Sequence, residues 1–214
     1  MEMVTDLHAC HLEFLVEEPS MKAFLNNWLP RVLSDNQTFA IHSFQGKHAL
    51  LKKLEARLKG YASWMPDYYR ILVVVDRDGD DCRKLKSQLE KYCGNAGLIS
   101  RRNAAGTEWQ VVTRIAIEEL EAWYFGDWQA VRATYPRVPA TIPKQSAYRI
   151  PDDIQGGTWE AFERILQKYG YFKRGLAKEQ AAAEIGRHLE PAKNSSHSFA
   201  VFRDSIIEAV TFRR

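Results

Sequence analysis

The segment "RILVVVDRDGDD", residues 70–81, places the tightest constraint on the fold of this chain. Its five apolar residues, 71–75, show no alternation with polar residues, which is typical of a strand buried on both faces of a parallel sheet. The acids that follow within six positions are Asp76, Asp78, Asp80 and Asp81. Like charges this close destabilise a folded chain unless something neutralises them. The segment therefore indicates a buried strand whose end binds a cation.

Strand-like and helix-like segments alternate over the first two thirds of the chain. The predicted strands are 11–16, 38–44, 71–75 and 108–117. The predicted helices are 17–33, a helix after the second strand with Leu50, Leu51, Leu54 and Leu58 on one face, 81–93 and 118–135. This alternation predicts an α/β fold with a mostly parallel, Rossmann-like sheet covered by helices on both faces.

The composition changes at residue 136. Four prolines and two glycines fall within 136–157, which predicts a long irregular connection. Three helix-like stretches follow near 158–169, 177–189 and 197–210, without a clear strand. We therefore expect an α/β domain over 1–135 and, over 136–214, a connection and helical C-terminal extension packed on the same domain.

Bulk properties narrow the class of protein. Of 214 residues, 45% are apolar and 27% charged, which favours a globular chain over a disordered one. The net charge of +3 permits a nucleic-acid partner, because 30 Lys and Arg can cluster on one face. No apolar run approaches the roughly 20 residues that span a bilayer, and the first ten residues lack the basic region of a signal peptide. The three cysteines, Cys10, Cys82 and Cys93, form no CxxC pair and predict reduced thiols in a cytoplasmic protein.

Acids follow three of the four predicted strands. They are Glu17 and Glu18 after the first strand, Asp76 and Asp78 after the third, and Glu118, Glu119 and Glu121 after the fourth. Because ligands gather beyond the carboxyl ends of parallel strands, we expect these carboxylates to meet at one edge. Oxygen ligands suit Mg²⁺ or Mn²⁺. Without the ion, mutual repulsion should raise the pKa of at least one acid. A solvated turn is the alternative explanation of "DRDGDD".

The order of these motifs resembles that of a known domain. A Glu after the first strand and an Asp-x-Asp after a later buried strand resemble the TOPRIM domain of topoisomerases, primases and OLD-type nucleases. The segments "FLVEEPSMKAFL", "VVVDRDGDD", "AIEELEAWYFGD" and "YFKRGLAKEQAAAEIG" resemble a bacterial TOPRIM-like family, domain of unknown function 4276. One departure is Glu18, which stands where TOPRIM domains usually have Gly and is a rival to Glu17 as ligand.

The resemblance implies Mg²⁺-dependent (or Mn²⁺-dependent) phosphodiester hydrolysis of DNA or RNA. It implies metal ligation by Glu17, Asp76 and Asp78, with Glu119 and Glu121 completing or extending the site. Lys173 matches a lysine that stabilises charge on the cleaved phosphate in related nucleases. The resemblance also implies a separately encoded partner ATPase in a bacterial phage-defence setting.

Several alternatives remain open on sequence alone. The chain could be a non-catalytic TOPRIM-like scaffold that binds an ATPase or nucleic acid. "VVVDRDGD" also resembles the nucleophile loop of haloacid-dehalogenase-type phosphatases, although Asp80 stands where that family has Thr or Val. The side chains that are either phosphate contacts or ordinary surface charges are Arg101, Arg102, Asn103, Lys173, Arg174 and Lys178.

Three smaller patterns favour structural roles. Trp123, Phe125 and Trp128 either stack on bases or pack in the core, and core packing is favoured. The serines of "NSSHSF", 194–199, are predicted to cap the last helix rather than to form a catalytic triad. No second ligand pair at zinc-finger spacing follows His8, Cys10 and His11. We therefore expect this segment to be a chain terminus that leads into the first strand.

Overall fold

One sheet of four parallel strands lies at the centre of the structure, a computed structural model that describes residues 10–105 and 108–211. The strands are β1 (Cys10–Val16), β2 (Gln37–Ser43), β3 (Tyr69–Asp76) and β4 (Val111–Ala116). Their order is β2-β1-β3-β4, and each neighbouring pair is parallel. The predicted α/β fold is confirmed, and the described sheet is parallel throughout. Cys10 and His11 lie in β1, whereas His8 lies outside the described residues.

Helices follow each strand and continue to the C-terminal end. The first five are α1 (Pro19–Trp28), α2 (Lys47–Trp64), α3 (Cys82–Asn95), α4 (Leu120–Gly126) and α5 (Trp128–Thr134). The later helices are α6 (Thr158–Lys168), α7 (Lys178–Gly186) and α8 (His197–Thr211). Short 3₁₀ turns occupy Ile142–Lys144, Ser146–Tyr148 and Pro151–Asp153, within the connection that the sequence predicts to be irregular. None of the described helices combines the length and the apolar character needed to cross a membrane.

Strand β3 is buried on both faces, as its unbroken apolar sequence predicts. Leu72 and Val74 belong to the larger hydrophobic core, which includes side chains of α1, α4, α7 and α8. Ile71, Val73 and Val75 belong to a second core under α2 and α3. The two-residue period of the strand therefore divides one apolar run between two helical layers.

The larger core joins the first and last parts of the chain. Phe14 of β1 and Trp28 of α1 pack against Phe202 of α8, and Trp123 stacks on the same ring at a centroid distance of 4.8 Å. Trp123, Phe125 and Trp128 are all buried in this core, which confirms the packing interpretation of these aromatics. Ser196 Oγ accepts a hydrogen bond of 3.1 Å from the amide of Phe199, so a serine caps α8 as predicted.

The prediction of one helix over 118–135 is wrong, because the chain breaks between α4 and α5 at Asp127. This buried residue has φ −122° and ψ 76°, outside the helical region. Its carboxylate accepts hydrogen bonds from the amide of Ala130 in α5 (3.3 Å) and from the amide of Glu190 (2.8 Å). Asp127 therefore starts a new helix and ties it to the C-terminal part of the chain.

Helix α7 crosses α1 closely because Gly186 has no side chain. A Cβ atom placed on Gly186 would lie 2.8 Å from the backbone oxygen of Phe24 in α1. Arg31 also donates hydrogen bonds to the backbone oxygens of Gly186 (3.2 Å) and Leu189 (2.9 Å). This crossing holds α7, and with it Lys178 at the start of that helix, against α1.

The crossing generates a prediction with a matched control. Gly186→Ala should lower the free energy of unfolding by about 1–3 kcal/mol, because the helices must separate to admit the methyl group. Gly60→Ala is the control, since Gly60 lies within α2 and a Cβ there meets nothing within 4 Å. That substitution should raise the free energy of unfolding by up to about 1 kcal/mol. Denaturant titration measures both, and equal effects would contradict the close crossing.

Candidate metal centre

Glu17 and Asp76 meet at the carboxyl edge of the sheet. Glu17 directly follows β1, and Asp76 is the last residue of β3. The two strands are parallel neighbours in which Val16 lies opposite Val74. The Oε2 atom of Glu17 accepts a hydrogen bond of 3.1 Å from the backbone amide of Asp76. The Glu17 side chain is buried, although an isolated ionised carboxylate is costly to remove from water. Strand pairing therefore brings two acids together that lie far apart in the sequence.

Asp76 has a carboxylate oxygen that the fold leaves without a partner. The atom is Oδ1, which is shielded from solvent and accepts no hydrogen bond from the described residues. Burial, followed by repulsion from Glu17 and Glu121, raises the pKa of Asp76 well above its usual range. A buried polar atom without a partner is uncommon and destabilising, so it points to a group that binds there.

Glu121 brings a third carboxylate near Asp76 from the first turn of α4. The residue is only 3% exposed. Burial is the main reason that the pKa of Glu121 is raised to about 7, against the opposing attraction of Lys178. Burial likewise raises the pKa of Glu17 to about 7, although the amide of Asp76 and the charge of Lys47 oppose it. The expected rise in pKa is confirmed, but the leading cause is burial rather than repulsion between acids.

Tyr124 adds a second buried polar atom without a partner. Its hydroxyl accepts and donates no hydrogen bond among the described residues, and the side chain is 1% exposed. Burial, followed by the negative charge of Glu121, raises the pKa of Tyr124, and Asp76 contributes to the same rise. The phenol therefore lies among the same acids, where a bound water or ligand would satisfy it.

Asp78 is oriented differently from the expected ligand set. Its backbone has φ +48°, and its half-exposed carboxylate pairs with the ammonium of Lys47 at 2.6 Å. The same ammonium pairs with Asp80 at 2.8 Å and donates a hydrogen bond of 3.0 Å to the backbone oxygen of Arg77. Burial opposes ionisation of Lys47, but the two Asp carboxylates outweigh it and raise the pKa of the lysine. Metal ligation by Asp78 stays a prediction, and it requires release from Lys47.

Glu119 and Glu18 also have local structural partners. Glu119 Oε2 accepts hydrogen bonds from the hydroxyl of Thr158 (2.8 Å) and the amide of Trp159 (3.0 Å), which caps the start of α6. Glu18 precedes α1 and accepts a long hydrogen bond of 3.4 Å from Ser20 Oγ. Of the two rivals after β1, Glu17 is therefore the one that contacts Asp76. A ligand role for Glu119 stays a prediction.

Lys178, rather than Lys173, is the lysine that interacts with these acids. Burial opposes ionisation of Lys178, but Glu121, Glu18, Glu119 and Asp76 outweigh it, so its pKa is raised. Lys173 is exposed, and the described residues provide it with no ion pair. A cleft of about 390 Å³ opens beside Lys178 and is lined by Glu18, Pro19, Ser20, Gln45, Gly46, Lys178 and Glu179. On sequence alone, Lys178 is one of several side chains that are either phosphate contacts or ordinary surface charges.

The donor set fits a hard divalent cation. Glu17 and Asp76 supply carboxylate oxygens side by side at this edge, and one of them, Asp76 Oδ1, has no other partner. Among the described residues, no three His, Cys, Asp or Glu side chains stand close enough to share one ion. Mg²⁺ is usually held by one or two carboxylates and retains several waters, so a complete protein cage is not required.

The raised pKa values predict how stability depends on pH without metal. The folded-state pKa of Glu17 (about 7) lies above the unfolded value of 4.5, so its stabilising contribution is complete below pH 4.5 and is lost as pH rises through 7. In EDTA the free energy of unfolding should therefore fall over this interval. Glu17→Gln should reduce the fall by about 1–3 kcal/mol.

Asp204→Asn provides the control, because Asp204 is an exposed acid of α8 whose side chain is 62% accessible. Denaturant titrations of the three proteins at several pH values make the comparison. A wild-type fall no larger than that of Glu17→Gln would contradict the assignment of raised pKa values to this cluster.

The comparison with known proteins identifies a family but no characterised relative. No curated protein and no solved structure matches the chain. A family model, described as Domain of unknown function (DUF4276), matches residues 16–207. The match includes the carboxylates of this edge, Lys178 and the C-terminal helices up to the last turn of α8. The chain therefore belongs to the DUF4276 family.

Proposed function

We propose that the protein is a Mg²⁺- or Mn²⁺-dependent nuclease that hydrolyses phosphodiester bonds of DNA or RNA. The observation that carries the proposal is the Oδ1 atom of Asp76, buried without a partner beside two other acids. A carboxylate in this setting is stabilised by a cation, and divalent cations at carboxylates are the usual means of phosphoryl chemistry. The resemblance to TOPRIM domains supports the same proposal.

Glu17 and Asp76 would hold the ion, and Glu121 would complete its surroundings through a bound water. When bound, the ion lowers the pKa of a coordinated water and neutralises charge on phosphoryl oxygens. Tyr124 would orient a water among these acids through its free hydroxyl. Lys178 stays cationic at neutral pH because its pKa is raised, and it would attract the phosphate and stabilise the charge that develops on it.

A non-catalytic scaffold is the second candidate, and the ion pairs of Lys47 favour it. Lys47 already neutralises Asp78 and Asp80 without any metal. A scaffold would bind nucleic acid or the partner ATPase implied by the TOPRIM resemblance, in a phage-defence setting, and Asp76→Asn would leave that binding unchanged. The two candidates therefore differ in whether removal of one carboxylate abolishes a divalent-dependent activity.

The first test of the nuclease proposal is Asp76→Asn. Asn is close to isosteric with Asp but lacks its charge, so divalent-dependent cleavage should fall by about 100-fold or more. The free energy of unfolding should stay the same or rise, because one of several repelling acids is removed. Asp204→Asn should cleave like wild type. The assay uses single-stranded and duplex DNA and RNA with the chain alone and with a candidate partner ATPase. If Asp76→Asn cleaves at the wild-type rate, the nuclease proposal is refuted and the scaffold proposal remains.

The second test separates the two lysines. Lys178→Ala should lower the cleavage rate by about 10- to 100-fold while Mg²⁺ affinity, measured by calorimetry, is retained, since a lysine contributes no metal ligand. Lys173→Ala is the matched control and should cleave like wild type, because Lys173 is exposed and forms no ion pair with the described residues. The opposite result would return the role to Lys173, as the family resemblance implies.

A further inference from the structure

The helical layer formed by α2 and α3 is strongly basic. Together the two helices contain nine Lys or Arg and two Glu, a net charge of +7, although the whole chain carries only +3. The rest of the chain is therefore acidic on balance. A charge asymmetry of this size on one face indicates an extended anionic partner.

Most of these cationic side chains are exposed to solvent. The exposed ones are Lys52, Lys53, Arg57 and Lys59 on α2, and Arg83, Lys84 and Lys91 on α3. Lys59 pairs with Glu55, whereas Lys52, Lys53, Arg83 and Lys84 form no ion pair with the described residues. Internal contacts are made by Lys47, by Lys86 with Glu90 and Thr113, and by Arg57, which lies 3.1 Å from His42 Nδ1 and over the ring of Tyr61. The basic layer therefore has a surplus of solvent-facing charge.

The basic layer begins at the candidate metal centre. Helix α2 starts at Lys47, which pairs with Asp78, and α3 starts after Asp81, whose carboxylate caps it. Both helices follow strands of a parallel sheet, so both start at the carboxyl edge and run away from it. Helix α2 has 18 residues and extends for about 27 Å. A polyanion lying along it would reach the acids at one end.

Exposed aromatic rings lie at the other end of α2. Trp64 ends the helix and is 56% exposed, and Tyr68 follows it at 54%. Trp64 is held in place by Tyr61 and Tyr69, with ring centroids at 5.5 and 5.8 Å. Arg57, about two turns before Trp64, borders a cleft of about 350 Å³ together with Trp64, Tyr61 and His42. Rings that are supported on one side and open on the other are suited to stack on bases.

We propose that the basic layer and Trp64 bind single-stranded nucleic acid, with its phosphates along α2 and an unpaired base on Trp64. This inference rests on the proposed function in that it names the substrate class, a strand that leads from Trp64 to the acids. The lysine and arginine side chains would bind the phosphates of the nucleic-acid backbone. The open face of Trp64 would favour unpaired bases, because stacking within a duplex covers the faces of its bases.

The first experiment measures binding in EDTA by fluorescence anisotropy, so it is independent of cleavage and of metal. Wild type should bind a labelled single-stranded oligonucleotide at least tenfold more tightly than the duplex of the same sequence. The triple variant Lys52→Ala/Lys53→Ala/Arg57→Ala should reduce the slope of log affinity against log salt by about 2. The control Lys144→Ala/Arg149→Ala/Arg164→Ala removes three exposed cations elsewhere and should keep the wild-type slope.

The second experiment measures tryptophan emission during the same titration. Single strands should quench the emission of wild type, and Trp64→Leu should abolish the quenching and lower affinity about tenfold. Equal affinity for duplex, equal salt slopes in the two triple variants, or quenching that survives in Trp64→Leu would each overturn the proposal. Binding of neither nucleic acid would overturn it in favour of an acidic protein surface. Failure of the nuclease proposal is distinguishable, since it appears only in the cleavage assay with Asp76→Asn.

Discussion

The burial of several carboxylates at one edge of the sheet is the constraint on which the rest of the candidate site depends. Glu17, Asp76 and Glu121 are removed from water, and each has a raised pKa chiefly for that reason. Hydrogen bonds satisfy part of this set, as the amide of Asp76 does for Glu17. Two buried atoms of the site have no hydrogen-bond partner among the described residues: Asp76 Oδ1 and the hydroxyl of Tyr124. The proposed cation, with its waters, would supply what both atoms lack.

Two layers of helix meet this edge from opposite faces of the sheet. On one side, the crossing of α1 and α7 at Gly186 holds Lys178 where the acids raise its pKa. On the other side, α2 starts at Lys47 and carries surplus positive charge away from the edge. Positive charge therefore flanks the carboxylates on both sides, in positions that suit an anionic substrate rather than a neutral one.

The fold was largely predictable from the sequence because its strands are short, apolar and followed by acids or helix starts. The unbroken run 71–75 specified a doubly buried strand, and Glu17 was correctly placed near Asp76 because adjacent parallel strands share an edge. The local partners were not predictable. These partners are the capping of α6 by Glu119, the break at Asp127 and the interaction of Lys178 with the acids, and all three depend on tertiary contacts with segments distant in the sequence.

The central claim is that protonated, buried acids at this edge give up protons when a divalent cation binds. Calorimetric titration of Mg²⁺ or Mn²⁺ near pH 6.5, repeated in buffers of different ionisation enthalpy, counts the protons released per ion. Because the pKa of Glu17 is raised to about 7 and that of Asp76 is raised well above its usual range, we expect the protein to release protons as the ion binds. No binding, or binding without proton release, would contradict it.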